Sequence, residues 1–231
     1  MIHIARRSLH IENNRLVLSK KDAHYLFRVR RVRNGDKFTA TDGTHFYKFI
    51  LKENKNELFP EMEASMTVEK SEHRIIAIIP LADLNAVESA IRNSVQAGAD
   101  NLSIIKTKFS NTFVKTLKKK RNRHEKIILD SCSQSRRKTI PSVEFSDFQS
   151  TLESPGLHLI MHPGKKALDF SSIPKRKNIY VWTGPEGGFS PEETAEFSKN
   201  NNAFFISLNT PILRMENAVT AGVAITRHLF P

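Results

Sequence analysis

Between Asn178 and Ala218 the chain twice runs an apolar strand into a polar loop, holding glycine or proline, that opens a helix. The first pass is Ile179-Tyr180-Val181-Trp182, then Thr183-Gly184-Pro185-Glu186-Gly187-Gly188-Phe189, then Ser190-Pro191-Glu192-Glu193. Ser190 with Glu193 three residues on is a capping box, and Pro191 takes the first helical position, where an amide has no partner anyway. The second pass is Ala203-Phe204-Phe205-Ile206, then Ser207-Leu208-Asn209-Thr210-Pro211, then Ile212 to Ala218 and an apolar helix to Leu229. A third strand, Leu157 to Met161, runs into His162-Pro163-Gly164. In α/β sheets a ligand sits at the carboxyl ends of the strands. Convergence of these three strand ends therefore calls for a ligand or a tight crossing. A phosphate-loop reading of Gly187-Gly188 fails, because no lysine with serine or threonine follows at the required spacing.

The elements that must position these loops belong to a chain of 231 residues, 39% hydrophobic and 26% charged, which reads as a soluble globular protein. No apolar run reaches the roughly 18 residues of a membrane span, and Met1 to Arg7 lacks the apolar core of a secretion signal, so a cytoplasmic protein without membrane attachment is expected. The single cysteine, Cys132, can form no internal disulfide and no Cys-pair metal motif, and no metal is expected. The net charge of +12 is concentrated: between Lys106 and Lys138 twelve Lys or Arg face only Glu125 and Asp130. Such a segment suits a phosphate backbone or an anionic membrane surface, or, over Lys115 to Lys126, a solvated helix face.

Residues Arg15 to Ser71 read as a small β-rich region. Leu16-Val17-Leu18 is a short strand, Ser19 caps a helix from Lys20, Asn34-Gly35-Asp36 turns the chain, and Lys37 to Thr41 is a strand. Asp42-Gly43 signals a hairpin into a half-buried strand on which His45, Tyr47, Phe49 and Leu51 alternate. Glu53 to Phe59 is expected as polar loop and Ala64 to Val68 as another strand. A compact barrel of this size is a common RNA-binding module. Arg28, Arg30, Arg31 and Arg33 crowd six residues; Arg28 and Arg31 would share a helix face if the helix continues, presenting a phosphate-binding ridge, and the alternative is a solubilising rim around Val29 and Val32. Residues Glu69 to Arg74 are the expected linker. From there strands and helices alternate, as in a parallel α/β sheet: strands at Ile75 to Ile79, halted by Pro80, at Leu102 to Ile105 and around Val143, with helices from Leu84 to a stop at Gly98, from Phe113 to Cys132 and from Phe145 to Leu152.

These residues resemble the SPOUT methyltransferases, and within them the family that methylates N3 of a uridine in bacterial 16S ribosomal RNA. The likeness is carried by Gly184 to Ser190 with Glu193, and by Ser207-Leu208 through Ile212-Leu213-Arg214 to Glu216 and Ala218. Shorter echoes are His24-Tyr25-Leu26 through Arg28-Val29 to Gly35-Asp36, and Gln134-Ser135 through Arg137 to Pro141. It runs over nearly the whole chain. Asn209 stands where glycine is usual, Asn217 where threonine is, and Ser133 where glutamate precedes the glutamine; Asn93, Gln96 and Phe109 stand where lysine, glutamate and arginine are common.

The resemblance implies an α/β protein with an N-terminal PUA-like small β-barrel, residues 1–72, and a C-terminal parallel-sheet domain, residues 73–231, closed by a deep trefoil knot, an exception to the rule against threading. It implies a methyltransferase that uses S-adenosylmethionine on 16S ribosomal RNA or the small ribosomal subunit, acting as a homodimer. The cofactor would be held by Met161, His162, Thr183, Gly184, Pro185, Glu186, Gly187, Gly188, Ser207, Leu208, Asn209, Ile212, Leu213 and Ala218, largely through backbone, with glycines where the main chain must come close. Arg214 and Glu216 would be catalytic. The Arg214 guanidinium would steady charge on the uracil carbonyls as N3 loses its proton, or else pair with Glu216 or Glu186; Glu216 would equally serve to fix Arg214 or cap the last helix. His162 is a candidate base. RNA phosphates would fall to Arg28, Arg30, Arg31, Lys118, Lys119, Arg121, Arg136 and Arg137. Ala218, Val219, Ala221, Gly222, Ile225 and Leu229 form a small-residue face for the dimer or the core. The rival is a non-catalytic RNA-binding or ribosome-assembly factor that keeps the fold.

Overall fold

The computed structural model describes residues 2–55, 57–110, 119–164, 173–208 and 210–231. The chain forms two compact units, Met1–Lys70 with Cys132–Ile140, and Ser71–Ser131 with Pro141–Pro231.

The first unit is built on one sheet of β1 (Ile2–Ala5), β2 (Ile11–Glu12), β3 (Arg15–Leu16), β4 (Lys37–Thr41), β5 (His45–Asn54) and β6 (Glu57–Thr67). Strand order is β1-β4-β5-β6-β3-β2; β1 and β4 are parallel and the other pairs antiparallel. Ile4, Leu16, Leu26, Val32, Phe38, Phe49 and Leu51 fill its core. The Asp42-Gly43 turn forms, with the Asp42 carboxylate accepting from Thr44 N at 2.8 Å and His45 N at 2.7 Å. The expected loop at Glu53 to Phe59 is instead the tip of a long hairpin, in which Lys52 pairs with Phe59 and Asn54 with Glu57. Both faces there meet water, so no apolar alternation marks the strands, and cross-strand pairs such as Lys52 with Glu61 take over.

Ser19 caps α1 (Lys20–Ala23) as expected, accepting from Asp22 N at 3.1 Å. The helix then widens into a π turn, His24–Val29, and Arg31 takes a left-handed φ of 50°. Arg28 and Arg31 therefore do not share a helix face. The wide turn and the reversal after it let both Leu26 and Val32 enter one core, with Val32 N bonded to Leu26 O at 3.2 Å. Cys132–Ile140 closes this unit: the imidazole of His3 donates from Nε2 to Arg137 O at 2.9 Å and accepts at Nδ1 from Thr39 Oγ1 at 2.8 Å, while Ser133 Oγ accepts from Ala5 N at 2.9 Å. Burial holds the His3 imidazolium pKa below its ordinary value, against the opposing pull of the Arg137 carbonyl.

The second unit is an all-parallel sheet of β7 (Arg74–Pro80), β8 (Asn101–Ile105), β9 (Ser142–Ser146), β10 (Leu157–Met161), β11 (Asn178–Thr183) and β12 (Ala203–Ile206), in the order β12-β10-β11-β7-β8-β9. Its helices are α2 (Leu84–Ala97), α3 (Arg121–Ser135, whose residues from Cys132 on belong to the first unit), α4 (Phe148–Leu152), α5 (Pro191–Lys199) and α6 (Met215–Leu229). Parallel strands covered on both faces must be apolar throughout, which is why Ile75 to Ile79 reads as an unbroken run. Pro80 ends β7 rather than lying beyond it. Phe145 and Ser146 are strand, not helix, because the Asp147 carboxylate caps α4, accepting from Ser150 N at 3.1 Å. The basic helix continues past Cys132 to Ser135; the expectations for Phe113, Leu117 and Lys118 lie outside the described residues.

On one face Trp182, fully buried, meets Phe197 and Phe148 edge-on with centroids at 5.1 and 5.3 Å. Its indole N–H donates to His158 Nδ1 at 3.0 Å, and His158 Nε2 donates to Ser154 O at 3.0 Å, which fixes the neutral tautomer. Burial lowers the His158 pKa, with the Ser154 hydrogen bond acting the other way. On the other face α6 comes down on β10 and β11 because residue 222 is glycine: a Cβ there would stand 2.9 Å from Val181 Cγ1 and 3.0 Å from Met161 Sδ. Val219 and Gly222 are thus core, while Ala218, Ala221, Ile225 and Leu229 are half-buried.

Candidate functional site

Strand register brings the three loops together. Met161 pairs with Thr183 on one side and with Ile206 on the other, so β10, β11 and β12 end level. His162 continues the ladder, its N–H bonded to Ile206 O at 2.9 Å. Beyond this edge lies a cavity of about 480 Å³ walled by Met161, His162 and Pro163, by Thr183 to Phe189, and by Ile212 to Met215 with Ala218. A smaller hollow of about 80 Å³ shares Met161, His162, Leu213 and Ala218 and adds Ser207 and Leu208. Every residue marked in the sequence for the cofactor borders one or the other, except Asn209, which lies outside the described residues. Sequence reasoning missed Pro163, Phe189 and Met215 on the wall, although each adjoins a residue it had marked.

The loop after β11 is closed upon itself. Gly188 N bonds Pro185 O at 2.8 Å, Gly188 holds a φ of 72°, and a Cβ on Gly184 would stand 3.0 Å from the Gly188 backbone. Thus Gly184 is glycine because its own loop crowds it. The capping box is complete, with Ser190 Oγ accepting from Glu193 N at 3.2 Å and Glu193 Oε2 from Ser190 N at 2.8 Å. The other oxygen, Glu193 Oε1, accepts from Lys108 N at 2.7 Å and ties the turn after β8 to this loop. Thr183 points its hydroxyl into the sheet, donating to Ile78 O at 3.1 Å. Glu192 is held below its usual carboxyl range chiefly by the Ser190 hydroxyl.

The loop after β12 has no comparable ties among the described residues. Thr210, Pro211 and Ile212 are exposed, Ile212 at 87%. Arg214 is the N-cap residue of α6 through its backbone alone: its carbonyl accepts from Asn217 N at 3.0 Å and Ala218 N at 2.8 Å, with no side-chain cap. Its exposed guanidinium borders the large cavity and forms no ion pair with Glu216 or Glu186. Glu216 stands in the first turn of α6 and does not border the cavity. His162 Nδ1 donates to Pro163 O at 2.7 Å, which leaves Nε2 as the acceptor of a ring set edge-on to Phe205.

The residues marked for RNA fall in both units. Arg28, Arg30 and Arg31 are exposed on the first unit, as is Arg136, while Arg137 is half-buried with Nη2 donating to Thr139 Oγ1 at 2.9 Å. Lys119 and Arg121 are exposed on the second unit; Lys118 lies outside the described residues. No group of three His, Cys, Asp or Glu able to hold a metal ion occurs among the described residues, and none of the described helices is long and apolar enough to cross a membrane.

Residues 18–59 match an RNA methyltransferase PUA domain. Ribosomal RNA small subunit methyltransferase E 2 of Borreliella burgdorferi is 27% identical over 229 residues, covering 93% of this chain and 91% of that protein. Ribosomal RNA small subunit methyltransferase E of Rickettsia conorii is 25% identical, covering 94% and 91%. The crystal structure of ribosomal RNA small subunit methyltransferase E from Neisseria gonorrhoeae, bound to S-adenosyl methionine, superposes with a TM-score of 0.79 at 21% identity, covering 100% of this chain and 98% of that one, a likeness of fold. Residues 68–227, well over half of the sequence and all three strand-end loops, match the RNA methyltransferase domain, and the chain belongs to that family.

Proposed function

We propose that this chain uses S-adenosylmethionine to methylate N3 of a uridine in 16S ribosomal RNA. The observation that carries the reading is the meeting of three strand-end loops around one cavity of about 480 Å³ in a chain of the RNA methyltransferase family. Relatives matched over nine-tenths of both chains are named for the small-subunit ribosomal RNA, and a protein of the same fold is bound to S-adenosyl methionine. The residues present fit that cofactor. The volume lies within the roughly 300–1,000 Å³ of small-molecule sites. Met161, Ile212, Leu213 and Ala218 offer an apolar wall for the adenine. Gly188, where a Cβ would stand in open space, leaves the main chain approachable.

The cofactor supplies a methyl group already activated on a sulfonium. What the chain adds is alignment, exclusion of water and removal of the N3 proton. Arg214 offers paired donors to the uracil carbonyl oxygens as N3 becomes anionic. His162 presents Nε2 from the same wall as the proton acceptor. Glu216, away from the cavity, places negative charge at the N-terminus of α6 and supports the helix that carries Arg214. N3 lies on the Watson–Crick edge, so the base must leave its partner before it can react.

The same reading takes in the trefoil knot through these loops, closure of the first sheet as a PUA-like barrel, and a homodimer in which a second copy completes the pocket. Residues 1–72 would hold RNA phosphates through Arg28, Arg30 and Arg31, and residues 73–231 would transfer the methyl group. Calorimetry of the full chain with S-adenosylmethionine should give a binding heat, and 16S ribosomal RNA from cells lacking the gene should accept a methyl group at a uridine N3. No heat, or a methyl group elsewhere, overturns the proposal.

A further inference from the structure

Two large apolar side chains exposed to solvent stand at this site, Ile212 on the cavity wall and Phe109 beside it. Phe109, 48% exposed, leans on the closed loop. A Cβ on Gly187 would lie 3.4 Å from Phe109 Cβ and 3.5 Å from its Cγ and Cδ2, and Gly187 borders the cavity. The turn presenting the ring is fixed. Thr107 N donates to Ser110 Oγ at 3.0 Å, Ser110 N to Thr107 O at 3.2 Å, and Lys108 N to Glu193 Oε1 at 2.7 Å. Lys106 and Lys108, on either side of Thr107, are exposed cations.

Leaving so much of an aromatic ring in water forgoes burial that this turn, held by hydrogen bonds, could otherwise gain. The turn that carries the ring is also preorganised, so a planar partner would meet it without first ordering the backbone. An aromatic face among cations is what unpaired nucleotides bind, bases by stacking and phosphates by charge. We infer that Phe109 is a stacking residue for an unpaired base of the RNA, placed beside the cavity where the methyl group is transferred. This rests on the methyltransferase reading above and adds to it a contact that holds single-stranded substrate at the mouth of the site.

The test uses the full chain, titrated with fluorescein-labelled oligouridylate, with an abasic oligomer of equal length, and separately with S-adenosylmethionine. Phe109→Leu keeps carbon against Gly187 and removes only the ring. It should bind oligouridylate about 5- to 150-fold more weakly, Phe109→Tyr should bind like the natural chain, and the abasic oligomer should not tell the three apart. In Phe109→Trp, oligouridylate should quench the new indole over a constant background from the buried Trp182, the natural chain's single tryptophan. Equal affinity of the natural and Phe109→Leu chains for oligouridylate overturns the inference. So does a Phe109→Leu chain altered only in its sedimentation, which would assign the ring to a protein contact. The calorimetric heat keeps the two readings apart. A natural chain that gives none defeats the methyltransferase proposal while a base-dependent loss at Phe109→Leu still upholds the stack, and normal heat without that loss defeats the stack alone.

Discussion

The loops after β11 and β12 leave neighbouring parts of one sheet edge and are built in opposite ways. The first is closed by its own glycine packing, a complete capping box and the Glu193 carboxylate, which bridges Ser190 N and Lys108 N. The second opens to solvent at Thr210 to Ile212 and brings Arg214 to the cavity without an ion pair to its neighbouring carboxylates. The difference separates two tasks. A wall that must keep its shape is held by hydrogen bonds within the protein. A wall that must meet a ligand keeps its donors unspent.

The largest effect should come from the open side. Arg214→Ala should lower the single-turnover methylation rate by about 100- to 1,000-fold, the usual cost of removing one preorganised donor from a developing negative charge. Calorimetry with S-adenosylmethionine should be little changed, because the guanidinium is assigned to the uracil. Unchanged turnover would remove Arg214 from the mechanism and with it the division of labour between the loops.

On the closed side the loss should appear as stability. Glu193→Ala removes half of the capping box and the tie to Lys108, and should lower the free energy of urea unfolding by about 1–3 kcal/mol, with weaker cofactor binding as the loop loosens. Glu193→Gln keeps one acceptor oxygen but sets an NH2 donor against the other backbone N–H, so it should recover only part of either loss. Should Arg214→Ala destabilise the chain as much as Glu193→Ala does, the two loops are not built differently after all.

Acid probes three buried histidines, one of them on β10 between the two strands that lead into these loops. His158 on β10 is neutral and accepts from Trp182, the residue before Thr183; a second proton on its ring would oppose that donor. His124 on α3 is fully buried and neither ring nitrogen has a hydrogen-bond partner among the described residues; burial favours its neutral form, with Glu88 pulling the other way. His3, His124 and His158 all have pKa values lowered from 6.5. In the unfolded chain they take up protons near 6.5, while in the folded chain they do so only at lower pH. Stability is therefore intact above that point and falls as pH drops below it. Each histidine contributes up to about 1.4 kcal/mol per pH unit until its folded pKa is passed. Unfolding free energies that stay level between pH 7 and pH 5 would contradict this.

What the sequence revealed of this contrast, and what it hid, follows from the range of the interactions. The strands were legible because burial on both faces requires unbroken apolar runs, and the capping box because its partners lie three residues apart. The Glu193 to Lys108 bond, between residues separated by 85 positions, and the rest of Phe109 on Gly187 leave no local trace. The π turn at His24–Val29 has no composition of its own; two buried anchors, Leu26 and Val32, impose it. The polar tip of the β5–β6 hairpin reads as loop because strands wet on both faces lose the alternation by which strands are recognised.

Ile212 should give the smallest effect on the free chain and for that reason decides what the open loop is for. At 87% exposure it packs against almost nothing, so Ile212→Ser should leave the unfolding free energy within about 0.5 kcal/mol, as surface changes do. A side chain that contributes nothing to the free fold yet borders the cavity should matter only when something covers it. With S-adenosylmethionine present, the stabilisation that binding lends to the fold should be smaller in Ile212→Ser than in the natural chain. Equal stabilisation of both chains by the ligand would mean that Ile212 is merely exposed, and that the open loop does not close on what enters the site.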